Sequence, residues 1–139
     1  MQIEPFQIAV PDEDIDDLRR RIRATRWAPA TPSSAWQQGV DSNWLRELAD
    51  YWAGQFDWRA SEQRLNRQPQ FVADVQGQRV HFLHRRGTGP APYPLVVTHG
   101  WPGSFFEFEA LLERLCEPAA FGGWLAYRLA CRGHNVIAM

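Results

Sequence analysis

Leu95-Val96-Val97-Thr98 is a short run that is apolar at nearly every position, and His99-Gly100-Trp101-Pro102-Gly103-Ser104 follows it directly. An amphipathic run, Phe105 to Leu115, comes next. Strand, tight Gly/Pro turn and helix in that order put the turn at the C-terminal edge of a sheet strand, where α/β proteins build their sites. So apolar a strand is expected to be buried on both faces, with a neighbour on each side. The fold class is therefore α/β. The sequence ends at Met139, and the site begun at this turn is expected to be incomplete.

Upstream the pattern is helical. Ile3, Phe6, Ile8 and Val10 suit an extended arm, and Pro11-Asp12 opens a first helix with Ile15, Leu18 and Ile22 on one face. Acidic residues crowd its start (Asp12, Glu13, Asp14, Asp16, Asp17) and arginines its end (Arg19, Arg20, Arg21, Arg23). That polarity complements the helix dipole, and the mutual cancellation predicts a solvated helix end rather than an anion patch. Residues 24–41 read as a long connection whose Trp27 and Trp36 are expected to lie against another surface. Asp41 or Ser42 caps a second helix with an apolar stripe of Trp44, Leu45, Leu48, Tyr51, Trp52 and Phe56. Such a stripe is expected to pack rather than to touch substrate. A third helix fits Trp58 to Asn66. At Pro69 the period changes: Phe71 to Val75 and Arg79 to His84 form a β-hairpin around Gly77. Pro118 to Gly123 breaks the helix after the turn, Trp124 to Cys131 suits one more helical stretch, and Asn135 to Ala138 a fourth strand. Two parts result: a helical, loop-rich region over residues 1–69 and the start of an α/β sheet over residues 70–139. With about four strands, apolar surface is expected to stay exposed, favouring self-association through a sheet edge.

A chain of 139 residues suits one ordinary domain. A net charge of −1 removes any global attraction to nucleic acid or anionic membranes. Two cysteines, Cys116 and Cys131, make no disulfide framework and are expected to be reduced and partly buried, in a cytoplasmic protein. Neither a signal peptide nor the ~18 apolar residues of a membrane span is evident.

The chemistry of the turn lies in its backbone. Gly100 and Gly103 lack a Cβ, so a reactant can approach the main chain, and a cis Trp101–Pro102 bond would aim the Trp101 N–H. Such an N–H stabilises negative charge developing on oxygen. Ser104 fails the G-x-S-x-G pattern of a nucleophile but fits a helix N-cap, since Ser104-Phe105-Phe106-Glu107 is a capping box. His99 has no nucleophile near it in sequence and reads as structural, its ring bonded to nearby backbone. His81 and His84, three apart on a strand, face opposite sides and make a poor metal pair. His134 has no evident partner, so no metal site is expected.

The turn, in its H-G-W-P-G-S form, resembles the H-G-x-P motif of α/β-hydrolase epoxide hydrolases. Phe56-Asp57-Trp58-Arg59, Glu62, Leu65-Asn66, Pro69-Gln70-Phe71, Gly77 and His81-Phe82-Leu83-His84 resemble the N-terminal region of the microsomal-type enzymes and their bacterial relatives. So do Phe6 through Arg26-Trp27, Phe105 to Phe108 and Pro118 to Gly123, a resemblance spanning about residues 3–123. It implies an N-terminal helical meander, then the first strands and helix of an incomplete α/β-hydrolase sheet. It also implies a reaction: an Asp attacks an epoxide carbon, a His oriented by an acid activates water against the resulting ester, and two lid Tyr polarise the epoxide oxygen. Trp101 N–H supplies half of the oxyanion hole, with His99, Gly100, Pro102, Gly103 and Ser104 as its supporting turn. No cofactor is implied, and the membrane anchor of the mammalian microsomal forms has no counterpart here. The Asp, His, acid and lid Tyr of the family follow the region matched by Gly123, and this sequence offers none in a matching context. Trp124 to Cys131 departs from the family pattern, whereas Arg132 to Ala138 resembles its next strand. The expected protein is thus a truncated N-terminal fragment, inactive alone. A fragment of another α/β-hydrolase, of esterase or dehalogenase type, and a non-catalytic module that pairs with a partner chain are the alternatives.

Overall fold

The computed structural model describes residues 2–29, 36–37, 39–88, 93–117 and, for the backbone, 134–138. The chain divides into two compact units, Ala9–Gln63 on one hand and Met1–Ile8 with Arg64–Met139 on the other.

The first unit is helical. Helix α1, Asp12–Arg23, carries its acids in the first turn and its arginines in the last. Arg19 pairs with Asp16, and Arg20 and Arg21 both pair with Asp17, so three of the four arginines are paired with two carboxylates of their own helix. Arg23 instead donates to the Ala53 carbonyl at 3.0 Å. Helix α2, Ser42–Gly54, is capped by Asp41, whose carboxylate accepts from the N–H groups of Asn43 and Trp44, both at 2.9 Å. The two Trp of the connection lie against α2: the Arg46 guanidinium sits 4.8 Å from the Trp27 ring centroid, and Trp36 meets Trp44 edge-on at 5.4 Å. Helix α3, Trp58–Leu65, presents a buried carboxylate, Glu62. It accepts from the Val10 N–H at 2.8 Å and from Arg59 at 2.6 Å, and Arg59 also pairs with Asp12. The apolar stripe departs from expectation. Trp44, Leu45, Tyr51 and Trp52 are exposed, Leu48 is 42% exposed, and Ala53 is the buried residue of α2. Few helical turns surround the stripe, and so small a unit has too little surface to cover it.

The second unit is a sheet. Among the described residues, β1 (Ile3–Phe6), β2 (Gln70–Val75), β3 (Gln78–Arg85), β4 (Tyr93–Val97) and β5 (His134–Ala138) form one sheet in the order β1-β2-β3-β5-β4. β1, β2, β3 and β5 pair antiparallel, whereas β4 and β5 are parallel. The β2–β3 turn places Gln76 and Gly77 at φ of 54° and 81°, the left-handed pair of a two-residue hairpin. The extended arm at the N-terminus is thereby a strand of the sheet, which raises the expected four to five among the described residues. β1's end is held by Asn66, whose side chain accepts from the Ile8 N–H and donates to the Ile8 carbonyl, both at 2.8 Å. Gln70, 3% exposed, donates to the Leu65 carbonyl and accepts from His81.

The core of this unit is Leu83, Leu112 and Cys116, with Leu95, Val97, Phe105, Phe108 and Leu115 packed on it. Cys116 is fully buried rather than partly so. Two further expectations are corrected. β4 is the outermost strand among those described, with Val96 56% exposed, and is not buried on both faces. The helix after the turn begins as a 3₁₀ segment, Phe105–Phe108, and becomes α-helical (α4) over Glu109–Cys116. The predicted break at Pro118 to Gly123, the helical stretch Trp124 to Cys131, and Cys131 itself lie outside the described residues.

Candidate functional site

β4 and β5 run parallel in a register that sets Val97 beside Ala138, so their C-terminal ends share one edge of the sheet. The His99–Ser104 turn leaves from that edge, where ligands of open α/β sheets bind. Both flanks of the turn are anchored in one cluster. Leu95 and Val97 enter it from β4, and Phe105 and Phe108 from the 3₁₀ segment. Phe105 also meets the His81 ring at 5.1 Å, and the Arg64 guanidinium lies 5.2 Å from the Phe106 ring centroid.

Within the turn the Gly100 carbonyl is central. The exposed His99 ring contacts it through Nδ1 at 2.8 Å. A carbonyl only accepts, so Nδ1 carries the proton. A Cβ on Gly103 would stand 2.7 Å from the same carbonyl oxygen and 2.2 Å from Oε1 of Glu107, whereas one on Gly100 would meet nothing within 4 Å. The two glycines thus differ: Gly103 is needed for close packing inside the turn, and Gly100 leaves open space beside the main chain. The Trp101–Pro102 peptide is cis. The Trp101 side chain is 96% exposed, and among the described residues its N–H has no hydrogen-bond partner. Ser104 is extended, and its Oγ accepts from the Phe106 N–H at 3.3 Å while its carbonyl accepts from the Glu107 N–H at 3.1 Å. Ser104 is thus an N-cap as expected, serving a 3₁₀ turn, but the capping box is incomplete: among the described residues the Glu107 carboxylate does not accept from the Ser104 N–H.

His81 and His84 are separated as strand alternation requires, and the side chain of His134 lies outside those described. His81 faces Phe6, Phe105 and Gln70, and burial holds its imidazole below the ordinary histidine pKa. His84 lies near Phe71, which stacks on Phe82. Among the described residues no three His, Cys, Asp or Glu side chains gather to hold a metal ion. An apolar cavity of about 200 Å³ lies within the helical unit, lined chiefly by Val10, Ile15, Leu18, Trp52, Phe56 and Trp58. The sequence singled out the six residues of the turn and named Glu107 as part of a cap, but gave no sign that the Gly100 carbonyl would be the backbone group held by His99. The second glycine is explained better by sterics inside the turn than by approach of a reactant.

Residues 3–108 match the family described as "Epoxide hydrolase N terminus". The chain is 44% identical over 121 residues to a protein of Stigmatella aurantiaca named "Putative epoxide hydrolase", covering 87% of this chain and 28% of that one. It is 38% identical over 124 residues to epoxide hydrolase 1 of Oryctolagus cuniculus, covering 86% of this chain and 27% of that one. The solved structure of Aspergillus niger epoxide hydrolase superposes with a TM-score of 0.79 at 30% identity, covering 99% of this chain and 34% of that one. The chain therefore spans between a quarter and about a third of these relatives. The match over most of its length, the shared arrangement of helices and strands, and the H-G-W-P-G-S turn converge: the chain belongs to the epoxide hydrolase N-terminus family, and its fold is the N-terminal part of an α/β-hydrolase.

Proposed function

We propose that this chain is the N-terminal part of an epoxide hydrolase, whose reaction converts an epoxide and water into a vicinal diol through an alkyl-enzyme ester. In this reading residues 1–69 are the meander, residues 70–139 begin the catalytic domain, and the Trp101 N–H is one of two donors to the oxyanion formed as water attacks the ester. His99, Gly100, Pro102, Gly103 and Ser104 shape the turn that presents it. The supporting observation is that the N–H stands at the C-terminal sheet edge, with no partner among the described residues. The residues that attack the epoxide and activate water are supplied by sequence beyond those matched here. The substrate is a small-molecule epoxide, and the location proposed from the two cysteines, which make no disulfide framework, is the cytoplasm.

Two measurements test this. The purified chain mixed with styrene oxide is expected to yield no diol above the buffer rate; diol formation would show that it is active alone. The chain joined to the remainder of the Stigmatella relative is expected to hydrolyse styrene oxide. Trp101→Pro, which removes the N–H, is then expected to lower kcat on the order of 10²–10³-fold, the usual loss for one oxyanion donor. An unchanged kcat would remove Trp101 from the mechanism.

A second reading rests on β4. As the outermost described strand, with Tyr93 and Val96 more than half exposed, it suits pairing with another chain. Light scattering is expected to show dimers or larger species that Val96→Lys returns to monomer.

A further inference from the structure

We infer that His99 is a positioning residue for the oxyanion donor, acting through the peptide group that it and the oxyanion share. The inference rests on the proposed role of the Trp101 N–H. Gly100 C=O and Trp101 N–H are the two halves of one planar peptide unit, and in a trans unit they point in opposite directions. The His99 Nδ1–H holds the carbonyl half at 2.8 Å. The direction of the N–H is then set, because a rotation of the plane that re-aimed the N–H would break the bond to the ring. A Cβ at Gly103 would stand 2.7 Å from the same oxygen, so the absence of a side chain there leaves the carbonyl room to keep its bond to His99. The N–H itself has no hydrogen-bond partner among the described residues.

Two consequences follow from chemistry alone. A hydrogen bond to a peptide carbonyl polarises the whole amide and makes its N–H a better donor, as in other hydrogen-bonded chains. His99 therefore strengthens the donor as well as aiming it, and an imidazolium there would strengthen it further. Second, the N–H points away from the His99 ring, so an oxyanion on that N–H lies on the far side of the peptide from His99. That geometry makes His99 unsuited to act as a general base at the same centre.

The test is nuclear magnetic resonance on the ¹⁵N-labelled 139-residue chain. The wild-type His99 ring is expected in the Nδ1–H form, and the Trp101 amide proton is expected to move with pH at the midpoint of the His99 ring signals. Glu107→Gln, which removes the carboxylate beside Gly103, is expected to leave that coupling in place. His99→Ala is expected to abolish the shift and move the Trp101 amide resonance. His99→Asn, whose side-chain nitrogen stands where Nδ1 does, is expected to restore the Trp101 position; His99→Gln, whose nitrogen stands where Nε2 does, is not. An Nε2–H tautomer in the wild type, or a Trp101 amide indifferent to His99→Ala, overturns the inference, and the tautomer needs no variant to fold. Either result leaves the Trp101→Pro test of the reaction untouched, so the two readings fail separately.

Discussion

In the helical unit most large apolar side chains lie in the open; the sheet unit also exposes Ile3, Val75, Tyr93, Val96 and Trp101, but it holds a cluster in which Leu95, Val97, Phe105, Phe108 and Leu115 pack on buried Leu83, Leu112 and Cys116. The helical unit is organised by polar contacts: Asp41 on the start of α2, Arg23 on the Ala53 carbonyl, Glu62 on the Val10 N–H and Arg59. The sheet unit uses polar contacts too, through Asn66 and Gln70, but they surround a hydrophobic cluster. The difference bears on function because the turn is flanked by residues of that cluster. A backbone donor must be held steadily to be useful, and packed apolar side chains in fixed rotamers do that better than exposed ion pairs.

The comparison breaks most clearly at its centres. Leu112→Ala is expected to cost about 2–5 kcal/mol, because Leu112 is 1% exposed and leaves a cavity. Leu48→Ala, on the stripe of α2, is expected to cost under about 1 kcal/mol, as for surface sites. Urea unfolding checks both, and equal losses would mean that the stripe is buried in solution. A smaller effect separates the two glycines of the turn. Gly103→Ala is expected to cost about 1–3 kcal/mol, as overpacking does, since the Gly100 carbonyl cannot move aside as the Glu107 side chain can. Gly100→Ala is expected to stay within about 0.5 kcal/mol of wild type, and thermal melts of the pair decide it.

The acid limb of stability sharpens the comparison further. The Val10 N–H, and then Arg59, hold the Glu62 carboxyl below its ordinary value. A depressed carboxyl contributes stability above its unfolded pKa, near 4.5, that is lost as pH falls through the lower folded value. Glu62→Gln is expected to lower the Tm at pH 7 and to flatten its fall below pH 4.5. The smallest expected effect belongs to His81, whose pKa burial depresses from 6.5. Its unfolded form takes up a proton first as pH falls, so stability is present above pH 6.5 and declines below it. His81→Gln is expected to remove that shallow decline, and a Tm slope between pH 6.5 and 5 that is the same in both proteins would exclude it.

The elements were largely legible. Apolar spacing located α1, α2 and α3 to within a residue or two, and the turn chemistry of Gln76-Gly77 located the β2–β3 hairpin. The capping role of Ser104 was legible because a cap is a local contact. The burial of β4 was not, because an apolar run reads the same whether its neighbours lie on one side or both. The role of β1 was hidden likewise: Ile3 to Phe6 carries no strong signal of its own and becomes a strand by pairing with β2, more than sixty residues away in sequence.

By itself, then, the sequence determined what depends on neighbours along the chain: helix spacing, caps, the hairpin turn, and a Gly/Pro turn after an apolar strand. Tertiary structure alone decided the strand order that sets β5 between β3 and β4 and brings two parallel strand ends to one edge. It also decided that one glycine of the turn faces space and the other a carbonyl, and that the carbonyl is the one His99 holds. Those facts depend on the path of the backbone through space and on which atoms it brings within a few ångströms, and residue spacing carries no record of either.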